Sequence, residues 1–198
     1  MQELVNPKNL SRIFAKYSTE KILPICHHVQ SQYFERATKD WHNPERHIAA
    51  ENILKLAQVF SSQGIDVEAT YLIGGGVACM ETPEEAGIHP ELRRLATRVH
   101  INHMGDSSAY SPIGGHNKDL HFLMGYNTSK CILDTIVAPG QPMKAEKILV
   151  LDAVTNSSFY DHGKSEDEVF AIAAERGWKF TTTENVINAI PLLENKVA

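Results

Sequence analysis

The stretch from Pro44 to Gly76 constrains the fold most, because it specifies a helix and a strand in succession. Ile53, Leu54, Ala57 and Phe60 share one helical face, and Ala50, Leu56 and Val59 widen it. Gly64 stands just past the end, where a left-handed backbone suits glycine. Val67, Ala69, Tyr71 and Ile73 then alternate with Asp66, Glu68 and Thr70, the period of a half-buried strand, until Gly74-Gly75-Gly76 ends it. Upstream, Leu10, Ile13, Phe14 and Tyr17 predict a short helix capped by Asn9 or Ser11. Ile25, Val29, Tyr33, Phe34, Ala37 and Trp41 predict a longer one that begins just after Pro24.

The C-terminal half turns to strands. Leu120 to Tyr126 is one, Asn127-Thr128-Ser129 a turn and Lys130 to Val137 a second, which together read as a hairpin. Lys147 to Val154 is a third strand. Glu91 to Val99 reads as a short helix, and Glu166 to Arg176 as another, with Ser165 and Glu168 forming a capping box and Gly177 the stop. Helices first and hairpin strands later are the order of an α+β fold, with N-terminal helices packed on a mostly antiparallel sheet. With 198 residues and no internal repeat or long linker, 1–198 is expected to be a single domain.

Composition narrows the function. An apolar share of 42% and a charged share of 22% are those of a globular chain. The net charge of -5, without a Lys/Arg cluster, argues against nucleic acid as partner. No apolar run approaches the roughly 20 residues that span a bilayer. Three cysteines do not make a disulfide framework, and a polar N-terminus carrying Pro7 is not a secretory signal. The expected location is the cytoplasm, or export by a route without a signal peptide, as for effector proteins.

Cys26 is the first candidate for chemistry. On the predicted helix it lies within the first turn, where unpaired N–H groups favour a thiolate; the bland alternative is a small buried residue. Cys79, after the triple glycine, and Cys131, inside a predicted strand, read as packing residues. A thiolate needs a base held by a third group. Asp134 lies thirteen residues after His121, and a hairpin turning at Asn127-Thr128-Ser129 would set the two side by side. Asp152 is the reserve for the third role and His116 for the base.

This order of Cys26, His121 and Asp134 in their contexts, with His-Phe-Leu-Met-Gly-Tyr and Cys-Ile-Leu-Asp-Thr on the predicted strands, resembles the papain-like superfamily, nearest to its transglutaminase-like and bacterial effector-type cysteine hydrolases and deamidases. The resemblance covers roughly residues 20 to 155 in order of elements and rests on three short contexts. It implies Cys26 as nucleophile, His121 as base and Asp134 as its orienter, with a protein or peptide amide as substrate and no cofactor. The sequence departs from the papain pattern in having no glutamine shortly before Cys26, which leaves Gln30 or Asn117 as guesses for an oxyanion donor.

Ten histidines open a second reading, a metal-dependent hydrolase using His100, His103, His116 and His121 with Asp106 and Asp119 nearby. Neither HExxH nor a CxxC pair supports it. A third reading is a non-catalytic domain whose Tyr33, Phe34 and Trp41 meet a partner. The triple glycine lacks the lysine and the later glycine of a phosphate loop and reads as a connection. Oligomeric state stays open.

Overall fold

A computed structural model of the chain describes residues 3–31, 33–35, 44–73, 87–103, 108–113, 117–139, 141–142, 144–156 and 164–190. Trp41, His116, Asp106, Cys79 and the triple glycine lie outside these residues. The described elements run α1 (Pro7–Phe14), β1 (Ile22–His27), α2 (Pro44–Ser62), β2 (Glu68–Ile73), α3 (Pro90–Leu95), β3 (Arg98–His103), α4 (Tyr110–Ile113), β4 (Leu120–Tyr126), a π-turn (Thr128–Ile132), α5 (Leu133–Val137), β5 (Glu146–Thr155), α6 (Glu166–Glu175), β6 (Lys179–Thr181) and α7 (Thr183–Ala189). None of these helices is long and apolar enough to cross a membrane.

The six strands form one sheet in the order β3-β2-β1-β4-β5-β6. Every pairing is parallel. The expected α+β architecture with a mostly antiparallel sheet is therefore wrong: this is a doubly wound α/β fold. Two misread segments account for the error. Ile22-Leu23-Pro24-Ile25-Cys26-His27 is the central strand β1, buried along its whole length, where a helix was expected. A strand covered on both faces is apolar at every position, so periodicity does not separate it from a helix. Pro24 is tolerated because the ladder with β2 starts only at Ile25, so β1 has a partner on one side there. The second misreading is Lys130 to Val137, which is the π-turn and α5 rather than the return strand of a hairpin. β4 pairs with β1 and β5, and no hairpin forms at Asn127.

Each face of the sheet is closed by its own helices. α1, α2 and α7 cover one face, over Ile22, Cys26, Val67, Phe122, Met124 and Val150. At its centre Phe122 stacks on Phe14 at 5.3 Å and meets Phe60 in a tilted pair at 5.1 Å. Each such ring removed from water is worth about 2 kcal/mol or more. α5 and α6 cover the other face, over Leu23, Ile25, Leu123 and Leu149. The elements legible in the sequence carry their caps: Gly64 has φ +67 after α2, Gly177 has φ +77 after α6, and Ser165 and Glu168 form the capping box.

β4 passes β1 closely at Gly125. Its φ is +131, and a Cβ there would meet the His27 carbonyl oxygen at 2.0 Å. Gly125→Ala should therefore cost about 3 kcal/mol or more, through both clash and strain, in urea denaturation. Gly64→Ala, with nothing within 4 Å of the added carbon, should cost only about 1 kcal/mol. Equal losses in the two variants would refute the close-pass argument.

Candidate functional site

In an open parallel sheet, ligands bind outside the carboxyl ends of the strands, at the point where the strand order reverses. Here that point lies between β1 and β4, since the chain winds from β1 out to β3 and then returns to the other side with β4. β1 ends in His27-His28, and β4 ends in Tyr126 and runs through the π-turn that carries Cys131. One nitrogen of each histidine ring and the Cys131 sulfur lie within 4.8 Å of one another. All three side chains are buried.

The two rings are held by partners from neighbouring strands. They stack on each other with centroids 3.8 Å apart. His27 Nδ1 meets Thr70 Oγ1 on β2 at 2.6 Å. His28 has φ +52, a left-handed backbone that turns the chain out of the sheet, and its N–H donates to the same Thr70 oxygen. Its Nε2 is 3.2 Å from Asn102 Oδ1 on β3. Asn102 Nδ2 donates to the Ser108 carbonyl at 2.8 Å, so the amide is oriented with Oδ1 toward the ring. His28 Nε2 therefore carries the proton, and Nδ1 holds the lone pair. That Nδ1 is buried and has no hydrogen-bond partner. Burial holds the His28 pKa down at about 4, against a smaller upward pull from Asn102, so the ring is neutral at physiological pH.

Cys131 is set by its turn. The Asn127 carbonyl accepts from the Ile132 N–H at 3.0 Å, the i+5 bond of a π-turn. Thr135 Oγ1 donates to the Cys131 carbonyl and accepts from the Ala109 N–H, both at 2.9 Å, tying the turn to the segment before α4. The Tyr126–Asn127 peptide just upstream is cis. Ser129, two residues before the cysteine, donates its N–H and hydroxyl to Asn156 Oδ1 at 3.0 and 2.9 Å. Asn156 in turn lines a cleft of about 480 Å³ beside the end of β5, with Arg46, Leu151, Thr155 and Glu166. Cys131 itself is not in that lining; Asn156 is the link.

The structure does not bring Cys26, His121 and Asp134 together. Cys26 is in the interior of β1, fully buried among the aliphatic and aromatic groups under α1 and α2, and burial pushes its thiol up to about 12. His121 pairs in register with Leu23, three residues before Cys26, which is roughly 10 Å along the strand. It also faces the other layer, against Tyr110. Its Nε2 donates to the Lys118 carbonyl at 3.1 Å and its Nδ1 accepts from the Tyr110 hydroxyl at 3.0 Å, so both nitrogens serve the core. Asp134, on α5, pairs with Lys130 at 3.1 Å, beyond the opposite end of β4 from His121.

The reserves are placed elsewhere too. Asp152 Oδ1 accepts from the Thr183 N–H and hydroxyl at 2.8 and 2.9 Å, joining β5 to α7. Gln30 exchanges two hydrogen bonds with the Leu72 backbone, at 3.2 and 3.1 Å. The Asn117 carbonyl accepts from Lys21 Nζ, near the amino end of the sheet. Of the metal set, His100 and His121 are not brought together: His100 meets Glu68 Oε2 at 2.7 Å, and β3 lies three strands from the β4 that holds His121. Tyr33 packs against Tyr126 and Phe34 against His89, inside the fold rather than on a partner face.

The fold defines a class. It is the isochorismatase-like α/β fold, not a papain-like or transglutaminase-like one, which corrects the resemblance drawn from the sequence. The chain is similar to a cysteine hydrolase from Pseudomonas syringae pv. phaseolicola (TM-score 0.65, 16% identity, covering 88% of this chain and 94% of that one). It is similar to an isochorismatase from Pseudomonas putida (TM-score 0.64, 15% identity, 93% and 100%). It is also similar to a nicotinamidase from Bacillus subtilis (TM-score 0.58, 15% identity, 81% and 99%). No family profile and no curated protein matches the chain.

The titration of His28 has a consequence for stability. The unfolded chain takes up this proton near pH 6.5 and the native fold only near pH 4, so native stability falls as pH drops through that window. The loss should be on the order of 3 kcal/mol in urea denaturation, and His28→Gln should remove that part of it. Identical pH dependence in the two proteins would contradict a neutral buried His28.

Proposed function

We propose that the protein is a thiol hydrolase of small amides or esters, with Cys131 as nucleophile, His28 as base and Asn102 as the group that orients the base. The observation that carries this reading is the clustering of His28 with the Cys131 sulfur, beside an Asn102 amide whose orientation leaves the lone pair on His28 Nδ1. Cysteine, histidine and asparagine in these roles form a constellation that arises on unrelated folds, and it is recognised by geometry rather than by sequence order. The names isochorismatase, nicotinamidase and cysteine hydrolase, borne by proteins of the same fold, support a hydrolase reading.

The steps balance within the site. His28 Nδ1 takes the proton of the Cys131 thiol, and the sulfur attacks the carbonyl carbon. The carbon–nitrogen or carbon–oxygen bond breaks, and the leaving amine or alcohol departs with the proton from His28. Water then attacks the thioester, His28 takes its proton, and the acid leaves as the thiol is restored. Throughout, Asn102 accepts from Nε2 and keeps Nδ1 as the basic nitrogen. A ring with a pKa of about 4 is a weak base but a strong proton donor once charged, so the second half of each step, expulsion of the leaving group, gains most. Cys131 is only 4% exposed, which favours a small substrate over the peptide expected from sequence. On this reading substrate approaches through the cleft that Asn156 lines, beside the turn that carries Cys131.

Turnover of small primary amides and of 4-nitrophenyl acetate tests this directly. Cys131→Ala should remove activity by a factor of about 1,000 or more, and Asn102→Ala should lower it by roughly 10 to 100 while leaving KM nearly unchanged. Cys26→Ala should leave turnover intact, and iodoacetamide should label Cys131 in the native protein while sparing Cys26. Full activity in Cys131→Ala would end the proposal.

A further inference from the structure

His27, His28 and Cys131 form the one cluster of potential metal ligands found among the described residues. Two imidazoles and a thiolate are the donor set that zinc takes, with a fourth position left to a water or substrate. We propose that this pocket binds a zinc-class cation through His27, His28 and Cys131, and that the ion silences the thiol chemistry by occupying nucleophile and base together. The silencing clause rests on the function proposed above; the binding itself does not.

Two observations point to a ligand here beyond the clustering of donors. The first is His28 Nδ1, a lone pair in a fully buried side chain without a partner, and a buried acceptor left unmatched is costly unless something occupies the space before it. The second is the outer layer. Metal-bound histidines characteristically give their other nitrogen to a polar neighbour that fixes the ring. Here Thr70 holds His27 Nδ1 and Asn102 holds His28 Nε2, and Asn102 is itself anchored by Ser108. Tetrahedral zinc, with Zn–N near 2.0 Å and Zn–S near 2.3 Å, sets its ligand atoms roughly 3.3 to 3.6 Å apart. The ligand atoms already lie within 4.8 Å of one another, and the two rings, stacked with centroids 3.8 Å apart, would turn about their side-chain bonds to aim both lone pairs at one ion.

The experiment is a titration of the full-length, metal-free protein with zinc against a chromophoric chelator, and in parallel with cobalt(II) as a spectroscopic substitute. One zinc per chain should bind, and affinity should fall at least tenfold in His28→Gln and in His27→Gln. Cobalt should give a thiolate-to-metal charge-transfer band in the wild-type protein, in Cys26→Ala and in Cys79→Ala, but not in Cys131→Ser. The wild-type band needs no variant to fold and guards against a misfolded mutant. No band, a band that survives in Cys131→Ser, or an affinity unchanged by His28→Gln would overturn the site. Ester turnover by the metal-free protein is scored separately: its absence would count against the hydrolase reading alone, while stoichiometric zinc without inhibition of an active enzyme would overturn the silencing clause.

Discussion

The approach of β4 to β1 at Gly125 and His27 is the contact on which the rest of the molecule depends. A side chain at Gly125 would strike the His27 carbonyl, so the two strands reach this spacing only because no side chain is there. The contact falls where the strand order reverses, and the chain leaves the sheet on both sides of it, into His28 from β1 and into the π-turn from β4. A crevice at this point follows from topology alone. Its contents follow from register: Cys26 pairs with Met124 and His27 with Gly125, so the residues just beyond are the ones that meet. The register shift between β4 and β5 after Leu123 adds residues to β5 alone and leaves the β1–β4 ladder continuous to its end.

Around that crevice the polar groups form a directed chain. Ser108 fixes the amide of Asn102, Asn102 fixes the tautomer of His28, and the tautomer decides which nitrogen keeps the lone pair. Each link is buried and therefore counts for more than it would in water. The same burial keeps His28 uncharged, which suits both accepting a proton and ligating a metal. His121 shows the contrast. It is as buried as His28, but both of its nitrogens are matched, one by the Tyr110 hydroxyl and one by the Lys118 carbonyl, so it holds α4 to β4 and has nothing left with which to act.

Much of the fold was legible in the sequence wherever a segment has a polar face or a clear terminator. α2 with Gly64, β2, β5 and the capped α6 show one or both, and β4, though buried along its whole length, is marked by the polar Asn127-Thr128-Ser129 that follows it. What was not legible is the strand β1 and the segment that follows β4. β1 has no polar face, so Ile25, Val29 and Tyr33 fit a helical stripe as well as a strand and the loop beyond it. Lys130 to Val137 has a strand's share of β-branched residues, yet it folds as a helical turn because Thr135 and Asn127 bind its backbone. Parallel pairing followed from neither segment, since it is set by crossovers rather than by any local pattern. The wrong strand at residues 130–137 created the hairpin, and the hairpin created the apparent meeting of His121 with Asp134.

The proposed function moves the chemistry expected of Cys26 to Cys131, for a reason independent of the particular residues. A thiol in the interior of a central parallel strand is enclosed by helices on both faces of the sheet, and its ionisation is opposed by the same burial that makes the strand stable. A thiol in the turn after a strand sits where backbone leaves the sheet and where side chains from different strands converge. Cys131 in Thr-Ser-Lys-Cys-Ile, seven residues beyond Met124, was open to that reading once β4 was known to end at Tyr126. His27-His28 at the end of a wholly apolar strand was the complementary signal: two adjacent imidazoles are an expensive way to end a buried strand unless something at its tip requires them. With a single lone pair at His28 and a single sulfur opposite, the pocket can serve an acyl group or a cation but not both at once. On the two proposals, metal binding and hydrolysis compete for the same few atoms.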